Sequence, residues 1–204
     1  SLGVNFMDTA NNYGTFSHIH AALKSIRREN LVICSKIGFK DVKQVREALE
    51  LCFRSINTDY IDIMMTHGVR DIEDLESRDE MLEELCRWKS RGAIRAVGAS
   101  THIYTGPIMP ALIDDPRIEV ILTYYNKTGV GLIGGSIEEH YQHIQRAHSA
   151  GKGLMAMKVL CEGYYYRDAM EHLQHVFSIP EIHSVDLGII NKEQVTLVDK
   201  LLNH

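Results

Sequence analysis

Residues Val4 to Gly14 read V-N-F-M-D-T-A-N-N-Y-G. Apolar Val4, Phe6 and Met7 lead into Asp8, and Tyr13 follows five residues later, just before a glycine. A strand with this pattern, pointing into a cleft, delivers a carboxylate and a phenol to one spot. A phenol with an ordinary pKa of about 10 is protonated at neutral pH and can donate its proton. The plainer alternative is a strand end followed by an Asn/Gly turn. The chemical reading therefore needs support from the rest of the chain.

Moving outward, short apolar runs alternate with segments of helical period. The expected strands are Val4–Asp8, Leu31–Lys36, Tyr60–Thr66, Ile94–Ala99, Glu119–Tyr124, Gly153–Val159 and Ile182–Gly188. Several are apolar almost throughout, as parallel strands covered on both faces are. The expected helices begin with Ser17–Arg28 and a stripe of Val42, Val45, Leu49, Phe53 and Ile56 at three- and four-residue steps. A second stripe runs Leu82, Leu85, Trp88, with Gly92 as its stop. Ile108–Ile113, an Ile137–Tyr141–Ile144–His148 stripe, Ala169–Phe177 and Gln194–Leu202 complete the series.

Seven unbroken strand–helix pairs point to a single α/β domain over residues 1–204. The expected fold is a TIM-type (β/α)8 barrel lacking its first β/α unit, because the chain opens directly in a strand. An open doubly wound sheet is the alternative. The barrel is preferred because residues with chemistry gather at strand ends, where barrel active sites form.

Composition narrows the function. The 204 residues are 45% apolar and 24% charged with a net charge of −5, so no nucleic-acid partner is expected. No segment reads as a signal peptide or reaches the ~20 apolar residues of a membrane span, so no membrane partner is expected either. Cys34, Cys52, Cys86 and Cys161 are scattered without a C-x-x-C pair. They suggest neither a metal site nor an iron–sulfur cluster, and are expected to be small buried hydrophobes in a reducing cytoplasm. The pairs His140/His143 and His172/His175 have ligand-like spacing but no third partner. They are expected to be solvated on outer helices. The acidic run Asp71–Glu84 is expected to be an exposed helix entry. Gly129–Gly134 spells G-x-G-x-x-G, yet it starts five residues past a strand end and lacks the acidic residue at the close of the next strand. A flexible substrate-side loop is the better reading.

Three strand ends in succession carry catalytic residue types: Asp8 with Tyr13, then Lys36, then His67. A Lys ammonium near a Tyr hydroxyl stabilises phenolate and eases proton donation. Asp8 can hold the Lys charged and fixed, and His67 can orient a substrate oxygen. Taken singly, Lys36 could snorkel and His67 could be a satisfied core histidine.

These residues carry a resemblance. D-T-A-x-x-Y-G, V-I-C-S-K, L-x-x-x-S-I-N-T-D-Y-I-D, R-G-A-I-R-A-V-G-A-S and G-I-I-N-K-E-Q-V together resemble the aldo-keto reductases, barrel enzymes that use NADPH or NADH. G-A-S-T-H and A-M-K are similar to the branch that often bears a ferredoxin-like tail, although no cysteine motif for such a tail is present. The resemblance implies that Asp8, Tyr13, Lys36 and His67 are the catalytic tetrad. It also implies that Ser100 binds the nicotinamide amide, and that Lys158, Leu160, Gly188, Asn191 and Gln194 hold the phosphates and adenosine. NADP(H) is expected over NAD(H), with Lys158 and Lys192 near the 2′-phosphate. The implied activity is reduction of a small aldehyde or ketone by hydride transfer, with Tyr13 as proton donor. The chain departs from the family pattern at Thr101, Leu122, Met157 and Val198, where Asn, Gln, an aromatic residue and Asn are usual. These departures suit a rival, a non-catalytic binding or regulatory protein with vestigial site residues. A barrel isomerase or aldolase using Lys36 as a Schiff-base nucleophile is poorer, since Asp8 would keep that lysine protonated.

Overall fold

The computed structural model describes residues 4–102 and 108–202, with side chains as far as residue 200. Seven strands form one sheet: β1 (Phe6–Asp8), β2 (Val32–Ile37), β3 (Ile61–Thr66), β4 (Ile94–Thr101), β5 (Val120–Tyr124), β6 (Gly153–Met157) and β7 (Ser184–Val185). Each pairs in parallel with the next, in chain order. A doubly wound sheet would reverse its order at a switch point. Here there is none, and the sheet curls into a partial barrel. Among the described residues, β1 and β7 each have one unpaired edge.

The crossovers carry α1 (Phe16–Leu23), α2 (Val42–Ile56), α3 (Ile72–Glu76), α4 (Asp79–Ser90), α5 (Ile108–Asp114), α6 (Ile137–Ser149) and α7 (Ala169–Phe177), and α8 (Lys192–Leu202) follows the last strand. Their ends follow from side chains. Asp41 accepts from the Gln44 N–H to open α2, and Asn57 closes it in the left-handed region (φ 62°). Ser136 and Glu139 form a reciprocal capping box on α6.

Period-two alternation sorts the strands into two cores. Ile33, Met64, Val97, Ile121 and Leu154 face the helices with Val45, Leu49, Leu82, Leu85 and Ile144. Cys34, Met65, Leu122, Met155 and Met157 face the barrel interior. Residues two apart share a face, so Lys36 joins Cys34 inside, while Asp8, in register with Cys34, points the same way. Ser100, paired with Leu122, does likewise.

Several expectations need correction. Helix α1 stops at Leu23, not Arg28. The Arg28 guanidinium instead donates to Leu31 O, Tyr60 O and Asp62, which pins the chain into β2. Strand β7 is shorter than Ile182–Gly188: among the described residues it pairs with β6 alone, at Ser184 and Val185. The acidic run is not simply exposed. Asp74 is buried against Lys40 and Arg78, and Glu84 against Arg46, Arg87 and Trp88. His140 and His172 are buried rather than solvated, because they sit on the inner faces of α6 and α7. Of the four free cysteines Cys34 and Cys52 are buried, whereas Cys86 and Cys161 are half-buried. The G-x-G-x-x-G loop is tied down: Val130 O accepts from the Tyr124 hydroxyl and from Asn126.

One glycine is required by close approach. A Cβ at Gly98 would stand 2.7 Å from the Val120 carbonyl oxygen and 3.0 Å from the Met65 side chain. Gly98→Ala is expected to destabilise the fold by about 1–3 kcal/mol, the usual cost of overpacking. A lower urea midpoint with an unchanged m-value is the measurement that checks it.

Candidate active site

The C-terminal ends of the strands open into a cleft of about 970 Å³. Asp8, Tyr13, Lys36 and His67 all line it. The backbone builds this arrangement. Thr9 N–H donates to Cys34 O and Asn11 N–H to Lys36 O, so the segment after β1 is laced to β2. Tyr13 N–H then closes a turn on Ala10 O, and Gly14 (φ 70°) returns the chain to α1. Tyr13 thereby comes to stand over Lys36.

Lys36 is 1% exposed, and its ammonium donates to Asp8 Oδ2 and, at 2.9 Å, to Thr9 O. It lies 5.0 Å from the centroid of the Tyr13 ring. Burial alone pulls the lysine pKa down. The Asp8 carboxylate, through its charge and its hydrogen bond, outweighs that pull and raises it, so Lys36 is a permanent cation. Tyr13 remains half-exposed. Its hydroxyl lies 3.4 Å from His67 Nε2, a long contact of a kind that tightens when a ligand binds.

His67 sits on a lip braced from behind. Its N–H donates to Ile37 O, while the N–H groups of Gly68 and Val69 donate to Ser100 Oγ and Ser100 O. Buried Arg78 donates to Thr66 Oγ1 (2.8 Å) and His67 O (3.3 Å), and is itself held by Asp74. Burial, then the cations Lys36 and Arg78 with His102, push the His67 pKa down to about 4. At neutral pH the imidazole is uncharged and its ring nitrogens can hydrogen-bond an oxygen.

The structure also gathers most of the expected cofactor residues. Ser100, Lys158, Leu160, Gly188 and Gln194 line the same cleft, with Leu122 and Met157 in its wall. Asn191 is not among the lining residues. Its side chain accepts from the Gln194 N–H at the start of α8. Lys158 is paired to Glu162 at 2.9 Å. Of the departures, Thr101 is buried with its hydroxyl on Val69 O, and Val198 is buried on α8.

Two residues escaped the sequence reading. His102, one position past β4, lines the cleft, and burial and Lys158 lower its pKa. Asp186, one position past β7, also lines it, within hydrogen-bonding reach of Asp8. Its N–H donates to Ala156 O at 2.8 Å, which places it level with Met157 on the inner face. Both share the signal that marked Asp8, Lys36 and His67, an ionisable residue at a strand end. In Asp186 it was hidden inside the run S-V-D-L-G.

Parallel strands in chain order, with an ionisable cluster over their C-terminal ends, define a barrel of the enzyme-bearing kind. The aldo/keto reductase family model matches residues 1–165, and the chain belongs to that family. Among curated relatives, it is 28% identical over 114 residues to the uncharacterized oxidoreductase YqkF of Bacillus subtilis (strain 168), covering 49% of this chain and 36% of that one. It is 29% identical over 120 residues to the methylglyoxal reductase DkgA of Yersinia pestis, covering 57% of this chain and 42% of that one. These matches span about two-fifths of either relative's length. An aldo/keto reductase from Klebsiella pneumoniae, solved in complex with NADP and acetate, superposes with a TM-score of 0.77 at 20% identity, covering all of this chain and 76% of that one. That likeness concerns the fold. Among the described residues no cluster of metal-ligating side chains occurs, and no helix is long and apolar enough to cross a membrane.

The depressed His67 pKa has a consequence for folding. Between pH 6.5 and 4 the unfolded chain takes up a proton at this position that the folded chain refuses, so stability falls as the pH is lowered through that window. His67→Gln is expected to lose less stability than the parent between pH 7 and pH 4.5. Urea unfolding of both at the two pH values checks this.

Proposed function

We propose that the chain is the catalytic part of an NAD(P)H-dependent oxidoreductase that reduces a small aldehyde or ketone to an alcohol. The observation that carries this reading is the junction of Tyr13, Lys36, Asp8 and His67 at one cleft end. Tyr13 is the proton donor to the carbonyl oxygen. The Lys36 cation beside its ring favours the phenolate left behind. Asp8 holds Lys36 in place, and neutral His67 orients the carbonyl oxygen at the tyrosine hydroxyl. A permanently charged Lys36 also argues against Schiff-base chemistry at this residue.

The cleft fits a dinucleotide. Its volume lies at the upper end of ordinary ligand pockets, and one wall is apolar where Leu122 and Met157 stand. Bound there, a reduced nicotinamide would supply the hydride. Ser100 would bind its amide, and Leu160, in the segment after β6, with Gly188 and Gln194, before and on α8, would hold its phosphate and adenosine end. Lys158 supports NADP(H) over NAD(H), exchanging Glu162 for a 2′-phosphate. The relative solved with NADP supports the same choice.

Tyr13→Phe is expected to lower the rate of NADPH-dependent reduction of a simple aldehyde by about 10²–10⁴-fold, the usual value of a positioned general acid. An unchanged rate would discard the mechanism. Met157 and Leu122, standing where an aromatic residue and Gln are usual in the family, favour a second reading, a non-catalytic binding protein. Titration with NADPH, followed by its own fluorescence, separates the two. The enzyme reading expects saturable binding that weakens in Lys158→Ala, and no binding at millimolar cofactor supports the rival.

A further inference from the structure

The tetrad leaves one polar atom unexplained. Asp8 uses Oδ2 for Lys36, while its Oδ1 is buried and has no hydrogen-bond partner among the described residues. A buried carboxylate oxygen without a donor is unusual and calls for one. The neighbouring carboxyl group is that of Asp186, which shares the cleft with Asp8 and which the preceding mechanism does not use. Asp186 stands one position past β7 and Asp8 ends β1, the two strands with an unpaired edge among the described residues, and the two carboxyl groups meet within hydrogen-bonding reach. Two carboxyl groups at that separation are compatible only when one carries a proton.

We propose that Asp186 is a positioning residue of this centre. In its protonated form it donates a hydrogen bond to Asp8, and so fixes the carboxylate that holds Lys36 beside Tyr13. Asp186 acts through Asp8 and need not touch the substrate. Its surroundings set when it can do so. From β1 it faces the Asp8 charge, from β2 Lys36 and the buried thiol of Cys34, and from the segment after β6 Lys158. Burial first, then Asp8, push its pKa up to about 6, against the pull of Lys36 and Lys158. Above that pH the donor is lost and two carboxylates compete for one ammonium. Lys36 is then drawn away from Tyr13.

The inference of an effect on catalysis rests on the proposed reductase function, but the contact itself can be read without activity. The intact chain, labelled with 13C at aspartate carboxyl carbons, is titrated from pH 4 to pH 8, with Asp8→Asn and Asp186→Asn used for assignment. Asp186 is expected to titrate near pH 6, and the Asp8 carbon to move with it. In Asp186→Asn that movement should vanish. An Asp8 carbon indifferent to the ionisation of Asp186 overturns the proposal. The rate supplies the second arm. Aldehyde reduction by the parent is expected to fall roughly tenfold above the Asp186 pKa, the scale of one pKa unit of differential interaction. Asp186→Asn, a donor at every pH, should hold its rate through that range, whereas Asp186→Leu, neutral but unable to donate, should be slow throughout. Identical pH profiles for the Asn and Leu variants overturn the positioning role. Linked aspartate titrations in a chain that reduces nothing uphold the contact and reject the reductase reading instead.

Discussion

A buried ammonium governs the arrangement of this molecule. Lys36 is almost wholly withdrawn from water in the interior of the sheet, where an uncompensated charge is very costly. Its compensation comes from Asp8 and the Thr9 carbonyl, both on the neighbouring strand and its continuation. That demand ties the register of β1 to β2, since slipping by one residue would turn Asp8 to the opposite face. The same lacing carries the chain over Lys36 and presents Tyr13 to the cleft. The strand register and the shape of the cleft thus rest on one ion pair.

Around it, the site is assembled on elements of increasing exposure. Asp8 and Lys36 stand on strands, His67 on a lip held by Ser100 and Arg78, and Tyr13 on a half-exposed turn. The charges of Asp8 and Lys36 are therefore set by the sheet itself, before any ligand arrives. Charge buried behind the lip has a structural part as well. Asp74, tied to Arg78, keeps a cation near His67 without exposing it to the cleft, and that cation helps to keep the imidazole neutral.

Much of this was legible in the letters. All seven strands were found, because parallel strands buried on both faces appear as apolar runs and each helix between them repeats every three to four residues. That Asp8, Tyr13, Lys36 and His67 would share one cleft was legible because D-T-A-N-N-Y-G followed by S-K and T-H puts ionisable residues at three strand ends in order. Asp186 was missed for want of the same test on the last strand. The misjudged helices share a cause. Asp74, Glu84, His140 and His172 looked solvated by residue type, yet each lies on the inward side of its helix, where partners on other elements made burial possible.

Sequence by itself determined the alternation of strand and helix, the family, and which residue types stand at the strand ends, since these depend on local pattern and spacing. Only the tertiary structure decided that Lys36 is fully buried, that His67 is held neutral, and that Asp186 meets Asp8. Those properties arise from charges brought together across the curl of the sheet from distant parts of the chain, and electrostatic interaction depends on separation in space and on exclusion of water.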